Sequence, residues 1–543
     1  MAQVKQVPVL IVGSGPVGLG LAADLGWRGV PAMVVEQNDE WTRSPRIMLV
    51  SVRTMEFCRR LGTADAVKNW GFPQDFPLDS VFVTSLTGWE IARSHSPSMG
   101  QVRPGEFSPE HQAHCPQTWF DPIWQRHAQS FPTNTIRYRH KLEDLRQHAS
   151  GVTATIRNLD TDAVETVEAG YVVGCDGVTS TVRDLLGIRM RGTELIDYSL
   201  SVEFRTKDLA SLHDKGNAGR YAFLKPEGTW ATCMAVDGKE LWRVLYYGDE
   251  DVEKIDVPKL LRTIVGRDFD FTIDAAKPWA RRALVADRFQ DGRVFLAGDS
   301  GHTHPPNGGF GMNTGMADAM DLGWKLAAVH QGWAPEALLD SYDVERRPIA
   351  HRAVDEAMKD FARLKKGTAN PGIDQPGQEG DRARKLLGDK LSQEFAGVRG
   401  WNRQGMHLGY VYDPSPINVD DGTPKPADDT FGYEPNSRPG ARAPHAWLSE
   451  GKSTLDLFGR GFVLLCFGAE APGLVEAAKK VGLPLDVHRI DDLEIAKLYA
   501  RRLVLVRPDG HVAWRGDAAP GDAAAVIDRI RGAGLRAAAR VAA

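Results

Sequence analysis

The segment Val7-Pro-Val-Leu-Ile-Val-Gly13-Ser-Gly15-Pro-Val-Gly18 joins an apolar run to a glycine-rich loop. The apolar run is typical of a parallel strand buried on both faces, and the residues after the loop, as far as Trp27, have the pattern of a helix. A second apolar run follows and ends at Glu36. Strand, loop, helix, strand and acid in this order predict a βαβ unit that binds a dinucleotide.

The glycines of this loop each meet a separate geometric need. Gly13 allows the tight turn, Gly15 lets the backbone approach a pyrophosphate, and Gly18 permits close packing of the helix on the strand. The N-terminus of the helix then faces the phosphates, and Glu36 suits a ribose hydroxyl rather than a 2′-phosphate. The predicted dinucleotide contacts are Gly13, Gly15, Pro16, Val17, Gly18, Glu36 and Gln37.

Two distant segments indicate which dinucleotide the loop binds, since FAD and NAD both fit it. The first contains Asp176-Gly177. In the second, an apolar strand ends at Gly298-Asp299 and is followed by a loop rich in proline and glycine, and then by a helix. An aspartate at a strand end can accept hydrogen bonds from the ribityl chain of FAD, and amides at a helix start can face the negative charge of a reduced flavin. Together the three segments predict FAD.

In these three motifs the chain resembles the FAD-dependent aromatic hydroxylases, the family of phenol hydroxylase and the polyketide-tailoring aromatic oxygenases. The resemblance implies that NAD(P)H reduces FAD, and that a flavin C4a-hydroperoxide then hydroxylates a phenolic or related aromatic substrate. The nicotinamide docks transiently in this family, which agrees with the lack of a second Gly-x-Gly-x-x-Gly motif. We therefore expect an NAD(P)H-consuming aromatic-ring monooxygenase with FAD and NAD(P)H as cofactors and molecular oxygen as co-substrate.

The resemblance also assigns roles to single residues. It places Arg46 and Gln117 beside the flavin, and it makes Pro305-Pro306-Asn-Gly-Gly309 the lining of the oxygen-reacting face. Further flavin contacts are expected from Asp176, Gly298, Asp299, Pro306, Gly309, Gly311, Met312 and Asn313. The expected catalytic residues are Met48, His304, Pro305, Pro306 and Gly309.

Met48 marks a departure from the family pattern. Several phenol-type members have a histidine or an aspartate at this position, near the substrate hydroxyl. A thioether cannot accept a proton at neutral pH. We therefore expect either a substrate that ionises by itself, or a base elsewhere in the pocket. The candidate bases are His302, His304 and His114, each with a pKa expected near neutrality.

The chain is predicted to be an α/β protein with a Rossmann-like FAD-binding domain, an inserted mixed-sheet substrate domain and a thioredoxin-like C-terminal domain. The substrate domain is rich in aromatic residues, which commonly line pockets for small molecules. The predicted substrate contacts are Tyr221, Phe223, Trp230 and Tyr246. The predicted limits are 1–75, 108–190 and 286–370 for the FAD-binding domain, 76–107 and 191–285 for the substrate domain, 371–425 for a helical or linker region, and 426–543 for the C-terminal domain.

The composition argues against several other classes of protein. A formal net charge of −5 gives no reason to expect nucleic-acid binding. Five scattered cysteines without a Cys-x-x-Cys pair argue against a zinc site and a disulfide framework. No apolar stretch approaches the roughly 20 residues of a membrane span. We expect a cytoplasmic protein with reduced thiols, no metal and no membrane span, and we leave open whether it forms a homodimer.

Two other functions fit a flavin-binding chain. One is a flavin-dependent dehydrogenase or reductase that transfers no oxygen, and the other is a non-catalytic flavin-binding protein with a sensing or carrier role. The Pro305-Pro306-Asn-Gly-Gly309 loop favours the monooxygenase. NAD(P)H consumption in air, with and without phenolic compounds, distinguishes the three functions.

Overall fold

The computed structural model describes residues 5–40, 48–248, 250–395 and 403–535, and every element below lies in these ranges. The strands are β1 (Lys5–Val12), β2 (Ala32–Val35), β3 (Leu49–Val50), β4 (Ser80–Val83), β5 (Glu90–Ser94), β6 (Ala113–His114), β7 (Asn134–Arg137), β8 (His140–His148), β9 (Gly151–Asn158), β10 (Val164–Gly174), β11 (Met190–Arg205), β12 (Arg220–Lys225), β13 (Gly228–Ala235), β14 (Leu241–Gly248), β15 (Thr272–Ala286), β16 (Gln290–Asp291), β17 (Val294–Leu296), β18 (His302–Thr303), β19 (Trp447–Ser449), β20 (Lys452–Ser453), β21 (Phe462–Cys466), β22 (Leu485–Arg489), β23 (Leu503–Val506) and β24 (Val512–Gly516). The α-helices are α1 (Pro16–Trp27), α2 (Val52–Leu61), α3 (Ala64–Lys68), α4 (Gln117–Gln129), α5 (Thr181–Leu185), α6 (Val257–Val265), α7 (Phe310–His330), α8 (Ser341–Lys366), α9 (Gly377–Phe395), α10 (Gln404–Leu408), α11 (Pro472–Lys480), α12 (Leu493–Tyr499) and α13 (Ala523–Ile530).

The first sheet contains the predicted βαβ unit, formed by β1, α1 and β2. Its strands run in the order β16-β17-β10-β1-β2-β7, and the neighbours from β17 to β7 are parallel. β2 is buried throughout, and β1 is buried from Val9 to Val12, as expected for parallel strands covered on both faces. α1 packs against α4 and α7 and is buried on nearly all sides, which accounts for its apolar sequence.

The second sheet is mixed and has two different faces. Its order is β18-β15-β11-β14-β13-β12-β4-β5, in which only β12 and β4 pair in parallel. On one face Phe204 contacts Phe269, just beyond α6, at a ring-centroid distance of 6.3 Å. On the other, Arg281 stacks on Tyr247 and on Phe361 of α8. We call these the α6 face and the α8 face.

The C-terminal domain is a four-stranded sheet with helices on both sides. Its order is β22-β21-β23-β24, with β21 and β22 parallel and the other pairs antiparallel. α11 and α13 pack on one side and α12 packs on the other. The predicted Asp509-Gly510 turn joins β23 and β24, with Gly510 at a φ of 86°. The predicted fold class is confirmed.

Two long strands link the FAD-binding and substrate domains. β11 and β15 pair along most of their length. The proposed limit after residue 190 falls at Met190, where β11 begins, and the limit after residue 285 falls beside Ala286, where β15 ends. The domain limits stay a prediction. Within the described ranges, the helices lack the combination of length and apolarity that a membrane crossing requires.

Candidate functional site

The glycine loop between β1 and α1 has the geometry of a phosphate cradle. Gly13 has a φ of 103°, and a Cβ atom there would clash with the Cys175 carbonyl oxygen. A Cβ at Gly18 would clash with the Gly13 carbonyl oxygen, so close packing requires both glycines. A Cβ at Gly15, in contrast, would meet no atom within 4 Å. Gly15 therefore faces open space directly before α1, where the helix N-terminus favours an anion.

Glu36 lies beside this loop, immediately after β2. Its Oε2 accepts hydrogen bonds from the Ser14 backbone nitrogen at 2.9 Å and from Ser14 Oγ at 3.3 Å, and its Oε1 accepts one from the Asn38 backbone nitrogen at 2.9 Å. Burial raises the pKa of the nearby Tyr138, and the charge of Glu36 adds to this. Tyr138 was not predicted from sequence because no motif contains it.

The Asp176-Gly177 motif follows β10 and makes its observed contacts inside the protein. Asp176 Oδ2 accepts a hydrogen bond from a backbone nitrogen of α5 at 3.0 Å. Burial raises the pKa of Asp176. Arg183, in α5, donates to the Ser300 carbonyl oxygen at 3.2 Å and so ties this motif to the Gly298-Asp299 segment. A direct flavin contact by Asp176 stays a prediction.

The Gly298-Asp299 segment packs directly on the first motif. Gly298 has a φ of 65°, and a Cβ there would lie 2.9 Å from the Val17 side chain of α1. A Cβ at Gly315, in α7, would lie 2.6 Å from the same side chain. Asp299 is exposed, although Gly298 and Ser300 on either side of it are buried. Its carboxylate is therefore accessible to a ligand.

The loop Pro305–Gly309 is held by one side chain of α7. Asn313 Nδ2 donates to the Gly309 carbonyl oxygen at 2.7 Å. Asn313 Oδ1 accepts hydrogen bonds from the Ser51 backbone nitrogen at 2.8 Å and from Thr54 Oγ1 at 2.7 Å. Asn313 therefore ties the loop to the start of α2. Because its side chain is occupied by these partners, a flavin contact from Asn313 would come from its backbone.

Met48 immediately precedes β3 and lies close to the same loop. Its carbonyl oxygen accepts a hydrogen bond from the Cys115 backbone nitrogen at 2.8 Å. The next residue, Leu49, lies against Gly309, where a Cβ would be 3.4 Å from the Leu49 side chain. Arg46, expected beside the flavin, lies outside the described residues. The roles of Met48 and Arg46 stay predictions.

Gln117 and Asp299 supply polar atoms that suit FAD. Gln117 is the first residue of α4, and its Nε2 donates to Asp121 Oδ2 at 2.9 Å. Its buried Oε1 has no hydrogen-bond partner within the described ranges. A buried carbonyl oxygen is costly unless some group donates to it. This oxygen and the Asp299 carboxylate can accept hydrogen bonds from ribityl hydroxyls, while the open space at Gly15 admits a pyrophosphate. The residues present therefore fit FAD.

Two of the three histidines proposed as bases have pKa values below the usual range. Burial lowers the pKa of His304, whose Nδ1 lies 2.9 Å from the Pro305 carbonyl oxygen. Burial also lowers the pKa of His114 to about 4. The expectation of a pKa near neutrality is therefore wrong for His114, while the pKa of His304 lies below its ordinary value. The catalytic role of His304 stays a prediction.

Asp318 is a buried residue of α7 to which the sequence motifs assign no role. It accepts hydrogen bonds from the Gly298 backbone nitrogen at 3.1 Å, from His302 Nε2 at 2.8 Å and from Arg346 Nε at 2.7 Å. Although burial opposes ionisation, Arg346 and His302 lower the pKa of Asp318. Asp318 thus fixes the Gly298 turn to α8. Its one signal in the sequence is an acid within an apolar stretch of helix.

The predicted substrate contacts lie in the second sheet. The strand register directs Tyr221, Phe223 and Tyr246 to the α6 face. Tyr221 and Phe223 are fully buried, and the Tyr221 hydroxyl donates to the Gly216 carbonyl oxygen. Trp230 and Tyr246 are partly buried, with ring centroids 6.1 Å apart. Substrate binding by these four residues stays a prediction.

Comparison with known families agrees with this geometry. Residues 6–357 match the model described as the FAD binding domain, and residues 436–534 match the model described as the C-terminal region of aromatic-ring hydroxylases. The chain is 33% identical to 4-methyl-5-nitrocatechol 5-monooxygenase of Burkholderia sp, and the alignment covers 97% of each protein.

Solved structures of related flavoenzymes share the fold of this chain over nearly its full length. The rebeccamycin biosynthetic enzyme RebC with reduced flavin has a TM-score of 0.91 and 38% identity, covering 98% of this chain and 100% of that chain. The flavin-dependent monooxygenase PieE, in complex with FAD and substrate, has a TM-score of 0.85 and 31% identity, covering 97% of this chain and 98% of that chain. The chain belongs to the family of FAD-dependent aromatic-ring monooxygenases.

Proposed function

We propose that this enzyme uses NAD(P)H and molecular oxygen to hydroxylate a phenolic or related aromatic substrate. The observation that carries the proposal is the Pro305–Gly309 loop, which Asn313 holds between α7 and the start of α2. Bound FAD supplies the chemistry of accepting electrons and delivering one oxygen atom to a ring. The residues of the chain hold the loop, the cofactor and the substrate in a fixed orientation.

Three groups of residues are proposed to bind FAD. The open backbone at Gly15 takes the pyrophosphate, and Glu36 takes the ribose. Gln117 Oε1 and the Asp299 carboxylate accept hydrogen bonds from the ribityl hydroxyls. The backbone amides of Gly311–Asn313, in the first turn of α7, would stabilise the negative charge of a reduced flavin.

The substrate ring is proposed to lie against the α8 face of the second sheet. Ser199 lies between Tyr247 and Trp279 in the strand register. Ser199 Oγ and Trp279 Nε1 are buried, and neither has a hydrogen-bond partner among the residues that the structure describes. Unpaired polar atoms beside aromatic rings suit a hydroxylated aromatic ligand. Although the buried Trp242 Nε1 on the α6 face also lacks a hydrogen-bond partner among the described residues, the α8 face is therefore a candidate substrate surface.

The same face carries buried charge further along its strands. Glu203, Arg243, Met234 and Arg220 form one cross-strand row. Glu203 is 5% exposed and Arg243 is 8% exposed. The row lies four residues from Ser199, about 13 Å along a strand. This spacing favours an extended, polycyclic aromatic substrate, and the two arginines of the row against one glutamate favour an acidic substituent. A structure of the related RebC holds bound 7-carboxy-K252c.

Substrate activation is proposed to depend on the acidity of the substrate itself. Met48 cannot accept a proton. Burial lowers the pKa values of His304 and His114, which makes each a weaker base than an exposed histidine. A phenol with an acidic hydroxyl supplies its own phenolate, and electron-rich phenolates are the form that accepts oxygen most readily.

The test is NAD(P)H oxidation in air with a panel of simple phenols and polycyclic aromatic acids, followed by mass spectrometry of products formed under ¹⁸O₂. We expect one ¹⁸O atom in the product. NAD(P)H oxidation without labelled product would instead support the flavin reductase, and no oxidation with any compound would support a carrier.

Arg243→Gln tests the substrate orientation. We expect KM for a polycyclic acid to rise about tenfold, the effect of losing one charge-assisted hydrogen bond, while KM for its neutral amide stays unchanged. Arg205→Gln is the matched control, because Arg205 lies on β11 near Glu203 but pairs with the exposed Asp274. Equal effects of the two variants would contradict the orientation.

A further inference from the structure

A hairpin turn of the C-terminal domain is buried at every residue. The turn, Arg507–His511, joins β23 to β24. Its ends are fixed by a hydrogen bond from the Arg507 backbone nitrogen to the His511 carbonyl oxygen at 2.7 Å. Turns normally lie at the protein surface. This one is inserted against helices of the FAD-binding domain, so its position and theirs depend on each other.

The first contact of the turn is a buried charge cluster with α7 and α8. Arg507 donates to Glu345 Oε1 at 2.6 Å, to Asp321 Oδ1 at 3.1 Å and to Asp509 Oδ2 at 2.7 Å. Lys325 donates to Asp321 at 2.7 Å and to Glu345 at 2.6 Å. All five side chains are at most 3% exposed. The turn cannot shift without leaving buried charges unpaired, which is strongly unfavourable.

The second contact of the turn reaches the start of α2. Arg53 Nη2 donates to the Asp509 carbonyl oxygen at 2.8 Å, and Arg53 Nη1 donates to Glu56 Oε2 at 2.7 Å. Arg442 of the C-terminal domain also pairs with Glu56. Arg53 is 6% exposed. The first turn of α2 is therefore held in place from the C-terminal domain.

The start of α2 in turn holds the loop. Ser51 precedes α2, and its backbone nitrogen donates to Asn313 Oδ1, as does the Thr54 hydroxyl. Asn313 Nδ2 donates to the Gly309 carbonyl oxygen. An unbroken series of short contacts thus leads from Asp509 through Arg53, along the first turn of α2, to the Pro305–Gly309 loop.

We infer that the Arg507–His511 turn positions the Pro305–Gly309 loop, with Arg53 and Asn313 as positioning residues. The inference rests on one part of the proposed function, namely that this loop borders the flavin. Because binding free energies are linked reciprocally, FAD binding stabilises the docked turn to the same extent that the docked turn favours FAD binding. The C-terminal domain therefore contributes to FAD affinity through the loop, without any need for its residues to touch the flavin.

The test compares Arg53→Met with Arg59→Met in the full-length protein. Arg59 lies on the same helix and also crosses to the C-terminal domain, pairing with Asp456 at 2.7 Å, but it lies further from Ser51. Hydrogen exchange of residues 507–511 is measured with and without FAD, together with the Kd for FAD. We expect FAD to protect the turn in the wild type and in Arg59→Met. In Arg53→Met we expect this protection to be lost and the Kd to rise about tenfold, within the range of coupling through packed side chains.

Gly510→Ala is a second variant that leaves every charge in place. At a φ of 86° an alanine is strained, and its Cβ would lie 3.7 Å from Arg53 Nη2. We expect the same loss of FAD-dependent protection. If Arg53→Met does not fold, the FAD-dependent protection measured in Gly510→Ala provides the test. The inference is overturned if FAD protects the turn in these variants as it does in the wild type. A wild type that binds FAD but hydroxylates nothing would refute the proposed function and leave this linkage intact.

Discussion

Asp299 is exposed between two buried neighbours, at the end of a strand that packs on the glycine loop. A carboxylate held there is available to accept hydrogen bonds from the ribityl hydroxyls of FAD. Asp299→Ala is therefore expected to raise the Kd for FAD at least tenfold, because a hydrogen bond to a charged group contributes about 1.5–3 kcal/mol. Fluorescence titration of the apoprotein with FAD measures this. Asp65→Ala, at an aspartate whose side chain is 91% exposed, is the control. Full FAD retention in Asp299→Ala would contradict the assignment.

Met48 is near the loop but offers no proton acceptor. Met48→Ala is therefore expected to keep substrate binding and to change hydroxylation by less than about tenfold, well below the 10²–10⁴-fold typical of a lost general base. Across a series of substituted phenols the single-turnover rate should follow the phenol pKa. A loss of several orders of magnitude in Met48→Ala, with normal binding, would show that the thioether is essential.

Helices α7 and α8 meet the C-terminal hairpin through charges whose ionisation depends on pH. Burial raises the pKa of Asp321 from 3.8 to about 7. The folded state thus holds this proton more tightly than the unfolded state, so Asp321 makes the free energy of unfolding fall as pH rises through this interval. Asp321→Asn removes the titration and is expected to flatten the dependence of Tm on pH between about 5 and about 7. Thermal unfolding across this range tests it, with Asp268→Asn, at a residue 91% exposed, as control. An unchanged profile in Asp321→Asn would contradict the assignment.

At the scale of the whole molecule, the C-terminal and FAD-binding domains share a hydrophobic core. Trp324 of α7 and Trp333 both pack against Phe462 of β21, at ring-centroid distances of 6.0 and 6.2 Å. Removing the C-terminal domain would expose both indoles, at a cost of about 3 kcal/mol or more, and would also leave Asp321 and Glu345 without Arg507. A chain ending at residue 435 is therefore expected to yield little folded, FAD-containing protein compared with a chain ending at residue 535. Stoichiometric FAD in a stable 1–435 fragment would disprove this.

The sequence by itself determined the features that depend on local backbone chemistry. Gly13 and Gly18 stand where a Cβ would clash, so the fingerprint could be recognised without the fold. The Asp509-Gly510 pair predicted a turn because glycine readily adopts the positive φ that is observed there. FAD was predicted from three such segments, each of them recognisable from its immediate neighbours in the chain.

Only the tertiary structure decided the partners of buried polar groups. Asn313 pairs with Ser51, 262 residues away, and Arg507 pairs with Glu345, 162 residues away. The alternation of residues in β11 and β14 indicates two faces, but it does not tell which face meets α6 and which meets α8. The partner of a buried polar group and the neighbour of a sheet face both follow from how distant elements pack against each other. A local pattern carries no information about that packing, because many possible partners of the same chemical type lie along the chain.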